Sequence, residues 1–198
     1  MHTLIVTAHP SDNAYTQAVV NQLTAGLTAA PGNSVEVADL ARERFDPRFT
    51  PQDYAYFSGS GAPDPAIVAE QQRIDRADRL VLVFPIYWWS MPALLKGWID
   101  RVFTGGWAFD YDSTGLKKRL TRLEAMIVGI AGAPHETYVR RGYRDAIQTQ
   151  IVEGIFDYCG IRALDSVLLH PLDAESQQQG LTQAFALGQA LGAQPVKA

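Results

Sequence analysis

Three short segments carry residue types that could do chemistry. The first, His9-Pro10-Ser11-Asp12-Asn13-Ala14-Tyr15-Thr16, sets an imidazole among hydroxyl donors. If a helix starts at its end, the free backbone N–H groups there favour an anion, and His9, Ser11 and Thr16 could add donors to a phosphate. Ser11, Asp12 and Asn13 would serve equally well as helix caps. The second, Pro85-Ile86-Tyr87-Trp88-Trp89-Ser90-Met91-Pro92, holds three large aromatics in a row. These are hard to bury together, and their rings would make a flat wall for a planar heterocycle. Filling the gap beneath a long loop, or a contact between two copies, would also use them. The third, Ala131-Gly132-Ala133-Pro134-His135-Glu136-Thr137-Tyr138, combines small residues that let a backbone approach a ligand with a phenol at its end. Gly-Ala-Pro is also ordinary turn chemistry.

The elements that must position these segments alternate. Leu4–Ala8 is an apolar run suited to a strand buried on both faces. Tyr15, Val19, Leu23 and Leu27 then step by four, one face of a helix with Asp12 or Asn13 as its N-cap. Strands are expected at 34–38, 79–85, 124–130 and 163–169, and helices near 66–77, from Pro92 onward, at 143–158 and at 175–191. Residues 42–65, with five aromatics and four prolines, read as a long ordered surface excursion. Alternating βα units favour a five-stranded parallel sheet with helices on both faces, whose ligand lies at the carboxyl ends of the strands. All three segments follow expected strands.

Composition narrows the function. The chain has 198 residues, 47% hydrophobic and 19% charged, which suits one domain spanning 1–198. A net charge of −4 argues against a nucleic-acid partner. There is no apolar run of membrane-spanning length and no charged leader, and the single cysteine, Cys159, fits a reducing compartment, so a cytoplasmic location is expected. Cys159 reads as a core residue. The four histidines lack metal-ligand spacing, and no metal is expected. No G-x-G-x-x-G follows the first strand, which argues against a Rossmann dinucleotide site.

The run from Phe84 to Phe103, with Pro85-Ile86-Tyr87-Trp88-Trp89 and Lys96-Gly97-Trp98-Ile99-Asp100-Arg101 within it, resembles NAD(P)H:quinone oxidoreductases of the flavodoxin-like superfamily. That group includes the DT-diaphorases and the ancillary proteins of glutathione-gated potassium efflux. Ala8-His9-Pro10, the segment 64–71 and Gly105-Gly106-Trp107-Ala108-Phe109 fit the same family. The resemblance implies FAD, with FMN the alternative, and a homodimer with its active site at the subunit interface. It implies a ping-pong cycle in which NAD(P)H, a transient co-substrate, passes a hydride to the flavin and a quinone takes it up. The alternative it carries is a flavin-binding ancillary subunit that docks on a membrane potassium-efflux transporter.

By the same resemblance the flavin phosphate falls on His9, Ser11, Tyr15 and Thr16. The isoalloxazine falls against Pro85, Ile86, Tyr87, Trp88 and Trp89, with its edge at Gly132 and Ala133 and Tyr138 beside it. Tyr138, with Arg144 near it, is the implied catalytic pair. Trp88 and Trp89, with Phe109 and Tyr111 from a second subunit, would bind substrate. There are departures: Ala131-Gly132-Ala133 replaces a Thr-Thr-Gly-Gly run, Arg144 replaces a histidine, and the extra C-terminal domain of the mammalian enzymes has no counterpart. An arginine stays protonated and cannot shuttle a proton.

Overall fold

Runs of aliphatic and β-branched residues become strands here because helices cover both sides of them. In the computed structural model, which describes residues 1–195, the strands are β1 (His2–Thr7), β2 (Ser34–Asp39), β3 (Arg79–Pro85), β4 (Phe109–Asp112), β5 (Gly115–Lys118), β6 (Glu124–Ile130), β7 (Arg162–Ala163) and β8 (Val167–Leu169). Residues 196–198, part of the expected 1–198 domain, lie outside the described residues. The main sheet runs β2-β1-β3-β6-β7, with β8 also paired to β6, and every pairing in it is parallel. The helices are α1 (Tyr15–Thr28), α2 (Pro51–Phe57), α3 (Pro65–Arg76), α4 (Ala93–Val102), α5 (His135–Arg141), α6 (Tyr143–Ile147) and α7 (Ala174–Ala193). The expected five-stranded flavodoxin-like fold is borne out, its fifth position shared by β7 and β8.

Side chains alternate across the sheet and divide the core in two. Ile5, Val81, Val83, Met126 and Val128 face α1 and α7, while Leu4, Val6, Leu82, Phe84 and Ile127 face the opposite helices, including Leu95 and Trp98 of α4. Each fully buried aliphatic side chain contributes roughly 1.5–3 kcal/mol. The chain reverses direction across the sheet between β1 and β3, so the crevice for a ligand opens at the carboxyl ends of β1, β3 and β6. The three chemistry-bearing segments follow those strands.

Several expectations are corrected. Neither Asp12 nor Asn13 caps α1: Ala14 holds the N-cap position in extended conformation and supplies no side-chain bond. The strand expected at 163–169 breaks between Ala163 and Val167: Leu164 still donates to the Ala125 carbonyl of β6 (2.7 Å), and the paired register resumes at Val167. The helix at 143–158 is α6 followed by a π-helical run, Gln148–Asp157. The excursion at 42–65 contains α2, started by a capping box between Thr50 and Asp53. The β4–β5 hairpin was not anticipated.

The excursion is fastened to α4. Arg101 donates to Asp53 (2.9 Å), Asp64 (3.0 Å) and the Asp46 carbonyl (2.8 Å). Gly97 lies against Pro47: a Cβ there would stand 2.3 Å from the Pro47 carbonyl oxygen. Gly97→Ala is therefore expected to lower the unfolding free energy by about 1–3 kcal/mol, as overpacking does, read as a drop in the urea midpoint. Cys159 is buried as expected, and desolvation pushes its thiol up to about 11 despite Lys118 nearby. Native protein should resist iodoacetamide at about pH 8, where the thiolate is scarce, and react once unfolded.

Candidate functional site

The loop after β3 is the most unusual piece of backbone in the molecule. Tyr87 and Ser90 exchange backbone hydrogen bonds (3.1 Å each way), closing a two-residue turn around Trp88 and Trp89. Both tryptophans have positive φ, 48° and 61°. Such turns are normally built from Asn-Gly or Gly-Gly, and the left-handed region costs an ordinary residue ~1–2 kcal/mol. Two bulky residues held there mark strain of the kind found at functional sites.

The two rings part company. Trp88 is 93% exposed. Trp89 turns inward, stacking on Tyr143 (3.7 Å between centroids, 11° between planes) and meeting Tyr138 edge-on at 5.5 Å. Ser90 donates to Gln150 (3.0 Å), fixing the far side of the turn to the π-helical run. Ile86 continues the β3–β6 pairing through its N–H to the Ile130 carbonyl (2.8 Å).

Across from the turn, the loop after β6 begins with Ala131, whose N–H donates to the Leu169 carbonyl (2.7 Å). A Cβ built on Gly132 meets nothing within 4 Å, so the space above it is open. Ile86, Trp88, Trp89, Gly132, Ala133 and Tyr138 together line one cavity of about 150 Å³. Six expected cofactor residues, from the loops after β3 and β6 and from α5, thus share one space. Burial raises the Tyr138 phenol above its ordinary value, so at neutral pH it is an O–H donor and not a base.

The loop after β1 offers backbone donors. In the first turn of α1 the Gln17 N–H donates to the Ala14 carbonyl (3.0 Å), while those of Tyr15 and Thr16 have no acceptor among the described residues and no side chain caps them. Ser11 N–H donates to His9 Nδ1 (3.1 Å), which in a neutral ring leaves Nε2–H as a free donor. Thr16 is buried, and so is Thr7 at the end of β1, whose hydroxyl has no partner among the described residues. Tyr15 contributes only its backbone, because its hydroxyl donates to the Gln177 carbonyl (3.0 Å) in α7. The fit to a planar ring with an anionic tail rests on these groups: an aromatic turn, an open glycine floor and an uncapped helix end.

Other expected residues lie elsewhere. Pro85 is buried in β3, and Tyr87, half exposed, flanks the cavity without lining it. Arg144 is exposed and lines a separate cavity of about 480 Å³ with Ile127, Ile147, Gln148, Ser166 and Leu168. The left-handed Gly142 (φ 68°) separates α5, which carries Tyr138, from α6, which carries Arg144; Arg144 also lines a smaller cavity with His135. Phe109 and Tyr111 lie on the hairpin, lining a cleft of about 210 Å³ with Tyr56, Phe57 and Gly105. Phe109 also packs on Tyr158 (5.1 Å). Tyr143, Gln150 and His170 were not singled out from sequence, and the only cue for Tyr143 was its place in an expected helix.

A fold and crevice of this kind define a flavodoxin-like protein. The chain belongs to that family: the family model described as flavodoxin-like fold matches residues 1–189. The solved NAD(P)H:quinone oxidoreductase from Methanothermobacter marburgensis superposes with a TM-score of 0.90 at 29% identity, covering 96% of this chain and 98% of its own. Human ribosyldihydronicotinamide dehydrogenase [quinone] is 31% identical over 206 residues, 92% of this chain and 87% of the relative. The ancillary protein KefF of a glutathione-regulated potassium-efflux system, from Enterobacter sp. (strain 638), is 36% identical over 104 residues, 52% of this chain and 57% of KefF. The expected kinship with quinone oxidoreductases, and with it that of an enzyme, is borne out by these relatives. Among the described residues no helix is long and apolar enough to cross a membrane.

Proposed function

We propose that this protein is a flavin-dependent NAD(P)H:quinone oxidoreductase whose ring-binding site is the cavity between the β3 and β6 loops. The observation that carries this is the strained Trp88-Trp89 turn at the cavity, which leaves the Trp88 ring exposed beside the open floor of Gly132. Bound there, a flavin supplies two-electron transfer from a reduced nicotinamide to a quinone in alternating half-reactions.

The chain's own residues supply position and electrostatics. His9 and the first-turn amides of Tyr15 and Thr16 hold the phosphate, with Ser11 beside them. Ile86 and Trp89 form the wall, and the open space above Gly132 and Ala133 admits the ring edge. Tyr138, kept protonated by burial, donates to negative charge that develops beside it. FAD remains the first cofactor reading and FMN the alternative, because both place the same ring in the same cavity.

The protein is proposed to work as a homodimer. Trp88, Tyr111 and Phe57 are 93%, 75% and 74% exposed, more aromatic surface than a lone copy has reason to show. Phe109 and Tyr111 of a second copy would close the open side of Trp88 and complete the substrate slot. Mass analysis of the cofactor released by heat decides FAD or FMN, and initial rates at varied NADPH and menadione give parallel double-reciprocal lines if both use one slot. Intersecting lines would refute the shared slot. The partial match to KefF favours a second reading, a flavin-binding subunit for a membrane transporter, which predicts bound flavin without useful quinone turnover.

A further inference from the structure

We propose that His170 is the positioning residue of this site, holding the β6 loop against the cavity through its side chain; this rests on the flavin reading above. His170 follows directly on β8, the short edge strand. Its Nδ1 lies 2.7 Å from the Ala133 carbonyl oxygen. A carbonyl only accepts, so Nδ1 carries the hydrogen and donates. One residue earlier, the Leu169 carbonyl accepts from Ala131 N–H (2.7 Å). The loop is thus tied to the edge strand on both sides of Gly132, the residue with open space above it. A glycine between two free ends would sample many conformations; between two ties it holds one.

The same ring also braces the phenol. His170 meets Tyr138 edge-on at 5.3 Å and His135 at 5.5 Å. Tyr138 meets Trp89 in turn, so a continuous set of ring contacts runs from β8 to the strained turn. The other nitrogen, Nε2, is buried and has no partner among the described residues. A buried nitrogen without a partner costs stability, and an apolar ring would avoid that cost. The imidazole is accounted for by the bond to Ala133. His170 itself does not line the cavity, so it acts through Ala133 and Tyr138.

Two variants separate the roles of the ring. His170→Phe keeps an aromatic ring and loses the donor, while His170→Asn keeps a donor and loses the ring. Full-length parent and variants are compared by amide hydrogen exchange of residues 131–137 without added flavin. Flavin affinity and kcat against KM for NADPH, with menadione as acceptor, are then measured at saturating flavin. His170→Phe should melt no lower than the parent, yet exchange the loop at least tenfold faster. It should bind flavin at least tenfold more weakly and lose kcat with KM little changed. His170→Asn should recover most of the exchange protection and kcat. A His170→Phe variant that matches the parent in exchange and kcat overturns the proposal, as does His170→Asn doing no better than His170→Phe. Parent protein that takes up no flavin overturns the flavin reading instead, and the exchange measurement still judges the tether.

Discussion

Trp88→Gly should leave the stability of the protein nearly unchanged while weakening flavin binding at least tenfold. Trp88 is 93% exposed, so truncating it removes almost no buried surface from the folded chain. At φ 48° glycine also relieves the left-handed penalty of ~1–2 kcal/mol. Its greater freedom in the unfolded chain offsets about 0.4–1 kcal/mol of that gain. The net change should fall within about 1 kcal/mol of zero, against the loss that most tryptophan truncations cause. Binding is different. An aromatic face against a planar ring contributes ~0.5–1.5 kcal/mol beyond its area, and the buried area adds to that. A tenfold loss in affinity is about 1.4 kcal/mol, well within that sum. Guanidinium unfolding and fluorescence titration with FMN and FAD check the two halves separately. A stability loss of several kcal/mol with unchanged flavin affinity would make Trp88 a structural residue.

Glu124→Leu should have the largest effect on stability, a loss of about 3–5 kcal/mol, although Glu124 stands at the opposite end of the sheet from the site. Arg79 and Glu124 are the first residues of β3 and β6 and lie in register. Both are almost fully buried, with Arg79 donating to the carboxylate at 2.6 Å and 2.9 Å and to the Leu191 carbonyl at 2.6 Å. Desolvation pulls the guanidinium below its ordinary range, a sign of how poorly the site tolerates a charge alone. Removing the carboxylate leaves that charge buried with the Leu191 carbonyl and the nearby Asp78 charge, and takes the ion-pair partner from the half-exposed Arg162 as well. Replacing both residues, Arg79→Met with Glu124→Leu, should recover much of the loss, because two well-packed apolar groups carry no desolvation cost. Thermal and urea unfolding of the single and double variants give the comparison. Flavin affinity in the folded double variant should match the parent.

What the sequence revealed follows from how each element is stabilised. β1, β3 and β6 are buried on both faces, so their continuous aliphatic runs could be read directly. The α3 boundaries were legible because Asp64 and Pro65 start it by local chemistry. The hairpin was missed because Phe109-Asp110-Tyr111-Asp112 and Gly115-Leu116-Lys117-Lys118 pair with each other at the surface and carry no core stripe. Thr50 and Asp53 did announce α2 as a capping box, but the prolines and aromatics around them obscure its period. In the site, Trp88 and Trp89 stood out by composition, while the positive φ of both came from the fold. Tyr143 and His170 reach the site across long sequence separations, and no local pattern marks them.

The most direct test of the account is an anaerobic titration of the purified protein followed in the visible spectrum. A flavin-dependent quinone oxidoreductase shows a bound-flavin band that bleaches in one two-electron step on adding NADPH or NADH, and returns in full when menadione is added. A protein that carries no flavin and takes up neither FMN nor FAD, or one whose flavin neither nicotinamide bleaches, would contradict it.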